Sequence, residues 1–230
     1  MVPGDEWIGV AEDRALLDRT STAERVAGIL RERIMEGQFP PGKRLSEEAI
    51  TSGLGISRNT LREAFRLLAH ERLLVHELNR GVFVRVLGVE DLRDLYRIRI
   101  LIETAALRHR RTIPRETLDL MSAAVTAAEL AAKEGRWPDV GTANLRFHEI
   151  IVSLIGSPRI DELMRRVWAE LRLVWHVIAN PREIYEPYVP RNRELVDLLT
   201  MEDLSNAEFL LAHYLNTAEE QLVKAYAAAR

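Results

Sequence analysis

Ser57-Arg58-Asn59-Thr60-Leu61-Arg62-Glu63-Ala64-Phe65-Arg66 is the stretch around which the 230-residue chain is organised. Read as a helix, it sets Arg58, Asn59 and Arg62 near one exposed end. Leu61, Ala64, Phe65 and Leu68 recur at spacings of three and four and form an apolar stripe. Ser57 is placed to cap it, because a serine oxygen accepts from the unpaired N–H groups of a first helical turn. Upstream, Leu45-Ser46-Glu47-Glu48-Ala49-Ile50-Thr51-Ser52-Gly53-Leu54-Gly55-Ile56 reads as a short helix and a tight turn. Ser46 is the expected cap, and Gly53 and Gly55 are expected to supply the permissive backbone of the turn. Helix, glycine turn and a second helix with a basic amino end is the plan of a helix-turn-helix, whose second helix enters the DNA major groove.

The flanks extend that reading. Leu73–Leu78 and Val82–Val86 are strand-like, with Asn79-Arg80-Gly81 as a short turn between them. A hairpin directly after a helix-turn-helix is a wing, and Arg80 falls at its tip. Ser21-Thr22-Ala23-Glu24 has capping-box spacing. The helix it opens, about 22–36, places Val26, Leu30 and Ile34 on one face, to pack against the recognition helix. Gly37 ends it, and Pro40-Pro41-Gly42 cannot continue it.

Three motifs, in order and well spaced, carry a family resemblance: residues 38–47 (Gln-Phe-Pro-Pro-Gly-Lys-Arg-Leu-Ser-Glu), residues 55–64 (Gly-Ile-Ser-Arg-Asn-Thr-Leu-Arg-Glu-Ala) and residues 79–84 (Asn-Arg-Gly-Val-Phe-Val). Together they resemble the GntR family of bacterial transcription regulators. The rest of the chain resembles its FadR-type subfamily, with a helical FCD effector domain. The resemblance implies a mainly α fold, an amino-terminal winged helix-turn-helix followed by an all-helical antiparallel bundle. It implies DNA contacts at the positions of Arg44, Arg58, Arg62 and Gly81, and less uniformly at Thr60. Ser57 can donate to a phosphate while capping. By bidentate geometry arginine suits guanine and asparagine suits adenine, which adds Asn59. Arg66, a turn further on, reads as a phosphate contact or a surface ion-pair partner.

The totals agree with a regulator while excluding other classes. The net charge is −3, but residues 21–86 carry eleven Lys/Arg against eight Asp/Glu, a local net of +3. What matters is that Arg44, Arg58, Arg62, Arg66 and Arg80 cluster. No cysteine is present, which excludes disulfides and thiolate metal sites and suits a reducing cytoplasm. No apolar run is long enough to span a membrane, and residues 1–20 lack the basic-then-apolar layout of a secretory signal. The expected division is an arm over 1–20, the winged domain over 21–87 and a helical effector-binding and dimerisation domain over 88–230.

From about Glu90 the sequence reads as helix to its end, with breaks at 112–114, 135–138, 156–158, 180–190 and 201–205, hence roughly six helices. Asn144 and His148 share one helix face. Asn192 and His213 lie in later segments. In many relatives these positions supply a carboxylate and three histidines to one divalent metal. Here His148 and His213 match that pattern, whereas Asn144 stands in place of Asp and Asn192 in place of His, and the last interval is one residue short. Two amides and two imidazoles carry no charge and make a poor zinc or nickel site, so weak metal binding or none is expected. His148 and His213 then hydrogen-bond a bound anion, or are simply buried histidines satisfied by neighbours. Arg99 aligns with an arginine that holds an effector carboxylate in the family, and it can equally pair with Glu103 four residues on. His70, His76 and His109 read as structural or surface residues, and His176 as ambiguous. Phe147, Trp168, Trp175, Tyr185 and Tyr188 read as core or pocket wall, and the loop 181–190 as a cover for a pocket mouth.

The combined expectation is a homodimeric repressor on a palindromic duplex operator, relieved by a small organic acid or an acyl-CoA. The alternative is a helical-domain enzyme, or a metal-binding protein, with an accessory winged helix. Against the enzyme, neither His-Glu-x-x-His nor Gly-x-Ser-x-Gly occurs.

Overall fold

The computed structural model describes residues 21–175, 177, 178 and 180–229. The arm expected over 1–20 and the ambiguous His176 lie outside the described residues. Two compact units result, residues 21–39 with 43–84, and residues 40–42 with 85–229.

In the first unit α1 (Thr22–Met35) starts at a complete capping box. The Ser21 oxygen accepts from Glu24 N at 3.1 Å, and the Glu24 carboxylate accepts from Ser21 N at 2.7 Å. Val26, Leu30 and Ile34 are buried, and α1 packs on α3 (Arg58–His70). A fork from Arg31 to Glu71, 2.7 and 2.6 Å, ties α1 to the end of α3. Ser46 caps α2 (Glu47–Leu54) by accepting from Ala49 N. Gly55, at φ 63°, ends α2 in the left-handed conformation. Gly53, expected in the turn, is instead inside α2, so Gly55 alone supplies the turn's positive φ.

The wing is the hairpin β2 (Leu74–Glu77) and β3 (Gly81–Val84). A third strand, β1 (Arg44–Leu45), joins the free edge of β3, giving the antiparallel order β1-β3-β2 with Arg44 opposite Phe83. Two residues carry no periodicity, so nothing in the pattern of the sequence announces β1.

The second unit holds α4 (Val89–Arg108), α5 (Arg115–Lys133), α6 (Trp137–Ser153), α7 (Pro158–Trp175), α8 (Pro181–Tyr185), α9 (Tyr188–Thr200) and α10 (Leu204–Ala228). That is one helix more than expected among the described residues. Pro181 is the first residue of α8 and Pro190 the third of α9. Proline in a first turn removes an N–H that had no helical partner, so these prolines begin helices instead of marking a loop. Helices α4 and α10 run antiparallel. Arg108 at the end of α4 donates to Glu208 near the start of α10 at 2.9 Å, and Tyr226 near the end of α10 donates to the Leu87 carbonyl at 2.9 Å. Arg85, the first residue of this stretch, donates to Asp91 and to buried Glu170 of α7, each at 2.8 Å.

The core between α5, α6, α9 and α10 is built on Met121, Phe147, Ile151, Leu195, Leu211 and Leu215. Each of these fully buried side chains contributes about 1.5–3 kcal/mol relative to exposure. A second cluster joins Leu92, Tyr96, Met164, Trp168, Leu171 and Leu222. Among the described residues no helix is long and apolar enough to cross a membrane.

Candidate DNA-binding surface and helical cavity

Helix α3 is anchored on one side and bare on the other. Leu61, Ala64 and Leu68 are fully buried and Phe65 nearly so, while Arg58, Asn59 and Arg62 are exposed at the amino end. The Ser57 oxygen accepts from Thr60 N at 3.1 Å, and the Ser57 and Thr60 hydroxyls lie 2.8 Å apart, so both already serve the cap. Arg62 reaches Glu47 at 3.4 Å across an exposed gap, a weak restraint. Arg66 pairs with Glu63 at 2.8 Å. Arg44 and Arg58 have no ion-pair partner among the described residues.

At the wing, Gly81 sits at φ 111°, and a Cβ there would lie 3.2 Å from Arg44 Nε. The glycine therefore serves both the turn and the passage of the Arg44 side chain across it. Arg80 pairs with Glu77 and places its guanidinium 5.5 Å from the Phe83 ring centre. Arg44, Arg58, Arg62 and Arg80 are thus all exposed side chains of one compact unit.

In the helical unit a cavity is lined by Tyr96 and Arg99 of α4, Asn144 and His148 of α6, Trp168 of α7 and Tyr214 of α10, with Ile184 and Tyr185 of α8 on its wall. A continuous polar chain runs through it. Arg99 Nε donates to Glu103 Oε1 at 2.9 Å, and Glu103 Oε2 lies 2.6 Å from His148 Nδ1. His148 Nε2 lies 3.2 Å from the Tyr214 hydroxyl, which also donates to Asn192 Oδ1 at 3.0 Å. Asn192 Nδ2 donates to Asn144 Oδ1 at 2.8 Å. Glu103 is 0 % exposed and His148 and Asn192 are 2 % exposed.

Burial opposes the Glu103 charge, but Arg99 and then His148 outweigh it, and the carboxyl is held below its ordinary value. Burial is the largest influence on His148 and lowers its pKa; the Arg99 charge adds to the lowering and Glu103 opposes it. The resting chain is therefore a neutral imidazole donating Nδ1–H to a carboxylate. The single Tyr214 proton then serves either His148 Nε2 or Asn192 Oδ1. The Arg99 guanidinium lies 4.9 Å from the Tyr96 ring centre and 4.7 Å from that of Trp168.

The structure brings Arg99, Asn144, His148 and Asn192 together and leaves His213 out. His213 is exposed, with its ring stacked on that of exposed Phe209 at 6.3 Å. The interval noted as one residue short explains this correction. One residue is about 100° of helix rotation, so the shortened spacing turns His213 off the inner face and puts Tyr214 there. The remaining groups do not fit a zinc or nickel ion. Both His148 nitrogens face protein partners, and the two asparagines face each other. Among the described residues no group of three His, Asp or Glu is placed to hold a metal.

Residues 22–84 match the family model for bacterial regulatory proteins, gntR family, and residues 94–217 match that for the FCD domain. The chain belongs to the GntR family. It is a transcriptional regulator with an FCD domain, and the enzyme alternative falls with that membership. The HTH-type regulator YdhC of Bacillus subtilis (strain 168) is 29 % identical over 140 residues, 60 % of this chain and 62 % of the relative. The gluconate operon transcriptional repressor of the same organism is 31 % identical over 160 residues, 69 % of this chain and 63 % of the relative. The matches thus span less than two thirds of these two relatives. A solved GntR regulator from Rhodococcus sp. RHA1 has a TM-score of 0.83 and 45 % identity, covering 90 % of this chain and 99 % of that one.

Two residues of this GntR cavity escaped sequence reasoning in the roles they take. Glu103 was legible as a partner for Arg99 but not for His148 on another helix. Tyr214 was signalled only by the shortened interval.

Proposed function

We propose that this GntR regulator is a repressor that binds a palindromic duplex operator as a homodimer and is released by a small organic effector in the cavity of its FCD domain. The observation that carries the DNA half is the amino end of α3. Arg58, Asn59 and Arg62 stand exposed on a helix whose opposite face is fixed by buried Leu61, Ala64 and Leu68. A packed helix with exposed arginines at its tip suits base edges in a major groove, while Arg44 and Arg80 suit phosphates. The Ser57 and Thr60 hydroxyls and the Gly81 backbone add further contacts to the duplex. GntR regulators bind DNA operators, and the gluconate relative is named a repressor. Such a partner places the protein in the cytoplasm.

The effector half rests on the cavity lined by Arg99, Asn144 and His148. With His213 outside and the donor set unsuited to zinc or nickel, the cavity works through hydrogen bonds and packing. Effector binding relieves repression only if it favours one arrangement of the dimer over another.

The test is fluorescence anisotropy on DNA from upstream of the protein's own gene. Arg62→Ala is expected to weaken specific binding by about tenfold or more, the cost of one bidentate base contact, with an unchanged melting temperature. A folded wild-type protein that ignores this DNA at low salt would sink the reading.

A further inference from the structure

Arg99 is the cation a carboxylate effector would use, and the protein already pairs it. Glu103 Oε1 lies 2.9 Å from Arg99 Nε, and Tyr96 and Trp168 approach the guanidinium from ring distances of 4.9 and 4.7 Å. The second Glu103 oxygen engages His148 at 2.6 Å. One buried cation and one buried anion cancel. The rest of the polar lining is uncharged: Asn144, whose oxygen is taken by Asn192, the Tyr188 hydroxyl, which donates to Gln221, and the buried Tyr185 hydroxyl, which has no hydrogen-bond partner among the described residues. The Asn144 amide N–H groups and the Tyr185 hydroxyl are what this lining has left to donate to a ligand. A carboxylate entering here would be a second buried anion sharing one cation, an arrangement whose desolvation is not repaid. The walls are aromatic. The cavity volume is about 40 Å³, room for about three waters and so for a molecule of only a few heavy atoms.

We propose that the effector is an uncharged, planar molecule with a carbonyl-type hydrogen-bond acceptor, and that Glu103 is the residue that keeps anions out. This rests on the reading that the cavity is the effector site. Glu103 acts through Arg99, as a specificity-determining residue, without touching the ligand.

The experiment is calorimetric titration of the full chain at pH 7, without DNA, with two matched pairs that differ in charge and hardly in shape: acetamide with acetate, and formamide with formate. The amide is expected to bind about tenfold or more tightly than its anion. Glu103→Gln keeps the shape and leaves Arg99 uncompensated. It is expected to raise acetate affinity about tenfold while changing acetamide affinity by less than about threefold. Preference for the anion in the wild type, binding of neither amide, or no gain for acetate in the variant would each overturn the proposal. Should the variant not fold, the wild-type comparison decides alone. Operator binding is measured separately, so its loss with the amide preference intact counts against the regulator reading only.

Discussion

Gly81 shows how much one position can carry. Its φ of 111° lies where side chains with a Cβ are strained, and the Arg44 guanidinium stem passes within 3.2 Å of where that Cβ would be. Gly81→Ala is therefore expected to cost about 1–2 kcal/mol in urea unfolding, and to lower operator affinity more than the stability loss explains, because Arg44 is displaced. An unchanged affinity would mean that Arg44 contacts no DNA. The glycine in the turn was legible, since Asn-Arg-Gly between two strand-like runs signals it. Its closeness to Arg44 was not, because β1 pairing with β3 brings them together and two residues announce no strand.

At the scale of elements, α4, α6, α9 and α10 each give a member to the buried chain from Glu103 to Asn144. His148 has a folded pKa below the ordinary 6.5, so the unfolded chain binds more protons just below that value. Stability is therefore flat above about 6.5 and falls as pH drops from there to the lowered folded value. Glu103 contributes stability above the ordinary 4.5 that is lost as pH falls through its own, lower folded value. Melting curves from pH 7.5 to 5 should show stability declining on the acid side by up to about 1.4 kcal/mol per pH unit. His148→Gln should flatten that limb; a slope that survives the substitution would assign it elsewhere. Most helices here were readable from apolar periodicity and their glycine and proline boundaries. Helix α8 and the start of α9 were not, because proline is both a helix breaker and a good first-turn residue, and only the backbone around it tells which.

For the molecule as a whole, charge is distributed against its own total. The chain carries −3, yet its first unit presents Arg44, Arg58, Arg62 and Arg80 on exposed side chains. Phosphate contacts from such a patch release counterions, so operator affinity of the proposed dimer should fall roughly a thousandfold or more between about 50 and 200 mM salt. Arg44→Ala should reduce the log–log slope by about 0.9, and a salt-independent affinity would rule out phosphate contacts as its source. The sequence by itself determined the family, the winged helix-turn-helix with its exposed arginines, and a helical remainder. Those depend on local periodicity, capping residues and ordered motifs, all of which are properties of neighbours along the chain. Only the tertiary structure decided what the cavity is. It placed Tyr214 inward and His213 outward, joined Glu103 to His148 and closed Asn144 on Asn192. Such choices depend on the angle at which separate helices meet, and a single missing residue, invisible in composition, turns one side chain out of a site and another in.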